Sequence, residues 1–246
     1  MALSIVEVLE LHGAIAEVGQ DALAAAFARR YRAEPHRGYG GTAHEILRGI
    51  GEGQPWRTAA GEAFSGMGSM GNGGAMRAAP VGAWFADDLE RVVREARASA
   101  EVTHAHEEGQ AGAIAVAVAA AGACRLAEEG RATPGTAILE LALAHTPTGE
   151  TRRGLRRALD LPFDRAPETA AATLGSGYGV ISSDTVPFAL WCAARHLGHY
   201  EAAMWATVEG LGDRDTTCAI AGGVVAMSTS DPLPPEWLAA RESLPL

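Results

Sequence analysis

At 246 residues the chain is long enough to bury one large core. Hydrophobic residues make up 48% and aromatics only 6%, a balance that suits closely packed helices better than an aromatic-rich sheet. The formal net charge of −10 disfavours nucleic-acid backbones and acidic membrane surfaces as partners.

Helical spacing governs nearly every periodic segment. Residues 1–11 carry Leu3, Ile5, Val6, Val8 and Leu9, with no cap residue ahead of them. Residues 20–32 place Leu23, Ala26, Phe27 and Tyr31 on one side of an alanine-rich helix, and residues 42–50 predict a shorter one. Residues 87–101 read as a charged surface helix facing inward through Leu89, Val92, Val93 and Ala96, with Asp87 and Asp88 at its cap. A long helix is expected over 107–129. Its apolar part, 111–127, is interrupted by Arg125 and at roughly 17 residues is at the lower limit for a bilayer span, so a buried central helix is the expectation.

Further helices are predicted over 136–144, 151–159, 186–197, 201–211 and 217–227. Pro187 falls near a helix start and Gly198 just past an end. Alternating strand patterns are absent apart from a short bridge at Val180 and Ile181, and no fixed-period repeat occurs. The expectation is an all-α fold forming a single domain over 1–246. Cys124, Cys192 and Cys218 are scattered, odd in number and outside any CxxC pattern, which fits a reducing cytoplasm better than disulfides or zinc. No basic segment precedes an apolar run in the manner of a signal peptide.

The chemistry concentrates in Asp213-Arg214-Asp215-Thr216-Thr217, just before a small-residue helix. Two carboxylates this close repel one another, and a hard divalent cation with oxygen ligands would hold them together. The competing reading is helix capping by these residues, although one cap residue suffices. Two glycine-rich stretches, 66–74 and 175–179, can expose backbone N–H groups as phosphate cradles do, or can simply be tight connections. Thr103 and His104 precede Glu107 and Glu108 at a helix start, a place that both caps itself and attracts anions. His106 reads as structural. His196 and His199, in an HxxH pattern with no acidic partner nearby in sequence, also read as structural.

Taken together, GSMGNGGAMRAAPVG (residues 68–82), SAEVTHAHEEGQAGA (99–113), GSGYGVISSDTVPFALW (175–191) and GLGDRDTTCAIAGG (210–223) resemble the ADP-ribosylglycohydrolase family in order and spacing. The resemblance implies an all-α orthogonal helical bundle. It also implies hydrolysis of the bond between ADP-ribose and a modified protein side chain, most plausibly arginine, assisted by two divalent cations, Mg or Mn. Asp213, Asp215 and Thr216 match metal ligands. Gly68, Ser69, Met70, Gly71 and Asn72 match the ADP-ribose loop, with Asn72 expected to brace that loop from inside by bonding nearby backbone. His104 matches a phosphate contact, and Gly177 and Tyr178 match the adenosine or distal-ribose side.

Arg77 could neutralise a phosphate or form a structural ion pair, and Tyr178 could stack on a base or mark a core edge. Arg214 and Met70 depart from the family pattern. The implied partner is ADP-ribose or an ADP-ribosylated protein, with no nucleic acid and no membrane, and the expected state is a monomer. The family's Thr-Asp-Asp-Thr metal motif, its N-terminal helix and its catalytic acid are not found in 1–246. The expectation is therefore a chain that starts after the first metal motif and has little activity. A non-catalytic ADP-ribose-binding or structural member of the same fold is the alternative.

Overall fold

The computed structural model describes residues 1–129, 134–229 and 231–243. Its helices are α1 (Ala2–His12), α2 (Gln20–Ala33), α3 (Gly41–Gly51), α4 (Trp56–Gly66), α5 (Ala79–Trp84), α6 (Leu89–Glu101) and α7 (Glu107–Glu129). After these come α8 (Thr136–His145), α9 (Glu150–Asp160), α10 (Pro167–Leu174), α11 (Ser182–Arg195), α12 (Tyr200–Glu209), α13 (Arg214–Val225) and α14 (Pro235–Ala240). A 3-10 turn covers Ala75–Arg77. Among the described residues the sole β contact is an antiparallel bridge between Gly71 and Ile181. The fold is all-α.

Helix α7 is the axis around which the others assemble. Its side chains are small all the way round, so α5, α6, α8, α11 and α13 can each pack on it closely. Every residue from Gly109 to Ala123 is buried. The helix is long and apolar enough to cross a membrane by composition, but 78% of its most apolar window is covered by the rest of the protein. Gly82 shows how close the approach is: a Cβ there would fall 2.0 Å from the Ala117 carbonyl oxygen of α7, so even alanine would push α5 off the axis.

Helix α6 is fixed at both faces. Asp88 accepts a hydrogen bond from the Arg91 backbone N–H at 3.0 Å and so caps the helix. Glu95, only 2% exposed, accepts from the Ile15 and Ala16 N–H groups at 2.7 and 2.8 Å, tying down the turn after α1. The three cysteines are free, and burial pushes the Cys192 thiol up to about 12.

Several boundaries differ from the sequence reading. Helices α4, α5, α10 and α14 were not anticipated, because they are short or lack a repeating stripe of large apolar residues. The prolines at the starts of α10 and α14 are their start signals. Helix α11 begins at Ser182, so Pro187 lies inside it rather than near its start. Helix α13 begins at Arg214, which puts Asp215 and Thr216 in its first turn. The cap of α7 is His106, whose Nδ1 accepts from the Glu108 N–H at 3.0 Å, not Thr103 or His104.

Candidate functional site

The last turn of α4 is broken by a sharp kink. Ala63 leaves the helical region, and Phe64 and Ser65 both take left-handed backbone at φ 52° and 59°. Two adjacent non-glycine residues in that region cost about 1–2 kcal/mol each. The strain leaves Phe64 and Met67 exposed beside the glycine loop that follows. A concavity of about 330 Å³ between α3 and α4, with Glu45 and Glu62 in its lining, reaches Phe64 and Ser65 but not Asp213 or Asp215.

Within the loop, Ser69 is buried and its hydroxyl accepts from the Gly71 N–H at 3.1 Å. Asn72 is also buried, and its amide does not bond nearby backbone as anticipated. Both Nδ2 hydrogens reach across the fold, to Thr185 Oγ1 at 3.0 Å and to Asp213 Oδ2 at 2.8 Å. Thr185 donates its own hydrogen to the Ile181 carbonyl at 2.8 Å, so its oxygen is oriented to accept. Gly68, Met70 and Gly71 complete the loop, with Met70 partly exposed. Asn72 thereby fastens this loop to the acidic cluster.

Asp213 stands at the N-cap position of α13 without making a side-chain cap bond. Capping therefore does not account for its carboxylate. Burial first, and then contact with Asp215, hold its carboxyl above the usual carboxylate range, while Asn72 and Thr216 pull the other way. Asp215 and Arg214 are exposed, and Thr216 is buried with its hydroxyl 4.0 Å from the Met76 sulfur. Among the described residues no lysine or arginine pairs with either aspartate. The donor set is all oxygen and carries two adjacent negative charges, which fits a hard cation such as Mg or Mn. No cluster of three or more His, Cys, Asp or Glu side chains occurs among the described residues, so hydroxyl and water oxygens would complete the coordination.

The second glycine stretch leans on the same acid. Gly177 sits at φ +82°, and a Cβ there would come within 2.8 Å of the Asp213 Cβ, so both the backbone angle and the space require glycine. Asp184 holds the loop in place, its Oδ2 accepting from the Gly179 N–H at 2.6 Å and its carbonyl from the Gly177 N–H at 2.9 Å. Tyr178 projects from this loop with 87% of its surface exposed. It is not a core edge. Asp184 and Thr185 escaped the sequence reading, although both fall inside the third motif quoted for the resemblance.

On the opposite side of the first loop lies a dry polar group. His104 is buried, and its Nδ1 is 2.7 Å from Thr103 Oγ1. Arg77 donates to that same hydroxyl at 2.8 Å and to the Ser99 carbonyl at 3.0 Å. Among the described residues it forms no ion pair, and at 3% exposed it offers little open surface. Burial, with Arg77 close by, lowers His104 to about 3. His199 does find an acid, Asp231 at 3.0 Å, but both are exposed and no third ligand joins them.

The chain is similar to proteins of known name. The chain is 30% identical over 252 residues to ADP-ribosylhydrolase ARH3 of Gallus gallus, covering 87% of this chain and 65% of that one. It is 27% identical over 270 residues to ADP-ribosylhydrolase ARH3 of Homo sapiens, covering 96% and 71%. A solved structure described as an ADP-ribosylglycohydrolase-related protein complex superposes with a TM-score of 0.70 at 25% identity, over 98% of this chain and 74% of that one. The family model described as ADP-ribosylglycohydrolase matches residues 1–244, and with so complete a match the chain belongs to that family.

Proposed function

We propose that the protein is a divalent-metal-dependent hydrolase that cleaves the glycosidic bond between ADP-ribose and a modified protein side chain, with arginine the first candidate. The observation that carries this reading is the 2.8 Å hydrogen bond from Asn72 to Asp213. It makes the glycine loop and the acidic cluster one site, with anion-accepting backbone beside cation-accepting carboxylates. Membership of the family and likeness to proteins named ADP-ribosylhydrolase support the substrate class.

Asp213, Asp215 and Thr216 would hold Mg or Mn, which when bound polarises ribose hydroxyls or a water. The loop over 68–72 would take the diphosphate, the buried Ser69 and Asn72 setting its shape. His104 would donate to a diphosphate or ribose oxygen. Phe64 and Tyr178, both exposed, would offer flat apolar faces to the base. The protein would act in the cytoplasm as a monomer.

A second reading is favoured by one observation. The two aspartates and Thr216 supply about half of the roughly six oxygens such a cation takes. An ADP-ribose-binding module with weak metal affinity would look the same. The test is release of ADP-ribose from an N-linked arginine adduct and from O-linked adducts, with Mg, Mn or EDTA, alongside calorimetry with ADP-ribose. Metal-dependent release supports the hydrolase. Metal-independent binding without release supports the module, and the absence of both binding and release would sink both readings.

A further inference from the structure

A buried guanidinium is normally met by a carboxylate, because stripping a cation of water costs several kcal/mol. Arg77 is 3% exposed and ion-pairs with no acid among the described residues. Its face lies 4.6 Å from the Phe27 ring centroid and Nη1 is 3.8 Å from the Met1 sulfur. Nε has no partner, and among the described residues the only oxygens Arg77 meets are the Ser99 carbonyl and the Thr103 hydroxyl. Burial lowers the group to about 9, leaving it cationic at neutral pH. So costly a placement calls for a purpose beyond packing.

The hydrogen-bond directions supply one. Arginine can only donate, so the Thr103 oxygen is an acceptor toward Arg77. Among the described residues the Thr103 hydrogen then has one acceptor bonded to it, His104 Nδ1 at 2.7 Å. A ring nitrogen that accepts carries no proton, which leaves the hydrogen on Nε2. Nε2 makes no hydrogen bond among the described residues, and Cβ atoms placed on Gly71 or Gly73 would each lie 3.4 Å from it. The imidazolium form would need Nδ1 to donate, strand the Thr103 hydrogen, and put a second cation beside Arg77. The backbone lying against the ring is that of Gly71, Gly73, Gly74 and Gly109, which carries no charge.

We propose that Arg77, acting through the Thr103 hydroxyl, is a positioning residue that locks His104 as the neutral Nε2–H tautomer, presenting one uncharged donor to a ligand oxygen over Gly71–Gly73. The relay recognises its ligand by a directed hydrogen bond rather than by a charge that titrates. Only the identity of the ligand rests on the ADP-ribose reading above. A hydroxyl at residue 103 is essential to the relay, and its methyl group is not.

The test is nitrogen NMR of the full chain labelled at histidine, with the His104 signal assigned by its loss in His104→Gln. The wild type should show Nε2 protonated and Nδ1 bare, unchanged from about pH 5 to pH 8, where an ordinary histidine titrates. Thr103→Val keeps the volume and removes the relay. It should mix the tautomers and weaken ADP-ribose binding about tenfold, the worth of one directed hydrogen bond. Thr103→Ser should restore both, and thermal melts of the two variants separate loss of the relay from loss of fold. Protonated Nδ1 in the wild type, titration of His104 near the ordinary value, or an unchanged tautomer in Thr103→Val would overturn the proposal. Failure of the wild type to bind ADP-ribose sinks the ligand assignment, while the tautomer measurement still decides the relay.

Discussion

On one side of the loop over 68–74, Asp213 and Asp215 crowd two negative charges into a half-open position, and among the described residues no arginine pairs with either. On the other, Arg77, Thr103 and His104 form a buried positive and neutral group with no carboxylate in it. Asn72 and Ser69 lie between. The acidic side is exposed enough for ions and water to exchange, so its chemistry depends on what binds there. The histidine side is dry, so its protonation is set by the fold. One wall is therefore expected to respond to metal and pH, and the other to neither across the neutral range.

The comparison breaks most visibly at Asp213. Asp213→Asn keeps the shape and the Asn72 contact but removes a proposed metal ligand, and turnover measured with Mg or Mn should fall by about 100-fold or more. Asp213→Asn in a chain that never turned over would leave the binding-module reading standing. Gly177→Ala comes next. A Cβ at φ +82° aimed at Asp213 should destabilise the fold by about 1–3 kcal/mol and lower Tm by roughly 3–10 °C. An unchanged melt would show that the second loop is not pressed against the acid.

A smaller effect concerns acid stability. His104 is about 3 when folded and near the ordinary 6.5 when unfolded, so the unfolded chain binds the extra proton between those values. Stability from this group is complete above about pH 6.5 and is lost as pH falls toward 3. His104→Gln should flatten that part of a denaturation-against-pH curve, and an identical curve would contradict the dry wall. The smallest effect returns to Asp213, whose folded carboxyl is raised. A raised carboxyl makes the folded state gain from protonation, so removing the charge should stabilise the metal-free fold at neutral pH. Because the group is half-open, the gain is screened to about 2 °C in Tm for Asp213→Asn.

Much of this was visible in the sequence for simple reasons. Helix α7 ran from Glu107 to Glu129 as anticipated, since a small-residue apolar run of that length has few other places to go. The acidic pair stood out because its crowding is local. What escaped was non-local. The partner of Asn72 lies 141 residues away, and nothing in a one-dimensional pattern joins the two. The left-handed backbone falls on Phe64 and Ser65 as well as on Gly66 and Gly68, so glycines alone do not locate the turn. Arg77 was read by its charge as meeting phosphate or an acid, whereas its partners are a carbonyl and a hydroxyl that only folding brings within reach.

The bridge between Gly71 and Ile181 ties the two glycine stretches into one cooperative unit. The Asn72 N–H bonds the Val180 carbonyl at 3.2 Å, the Ser182 N–H bonds the Met70 carbonyl at 3.0 Å, and the Ser182 hydroxyl adds a bond to Gly71. Opening either stretch breaks the same bonds. The amides of Asn72 and Ser182 should therefore exchange with solvent deuterium at matched rates, and a ligand seated on one loop should slow both together.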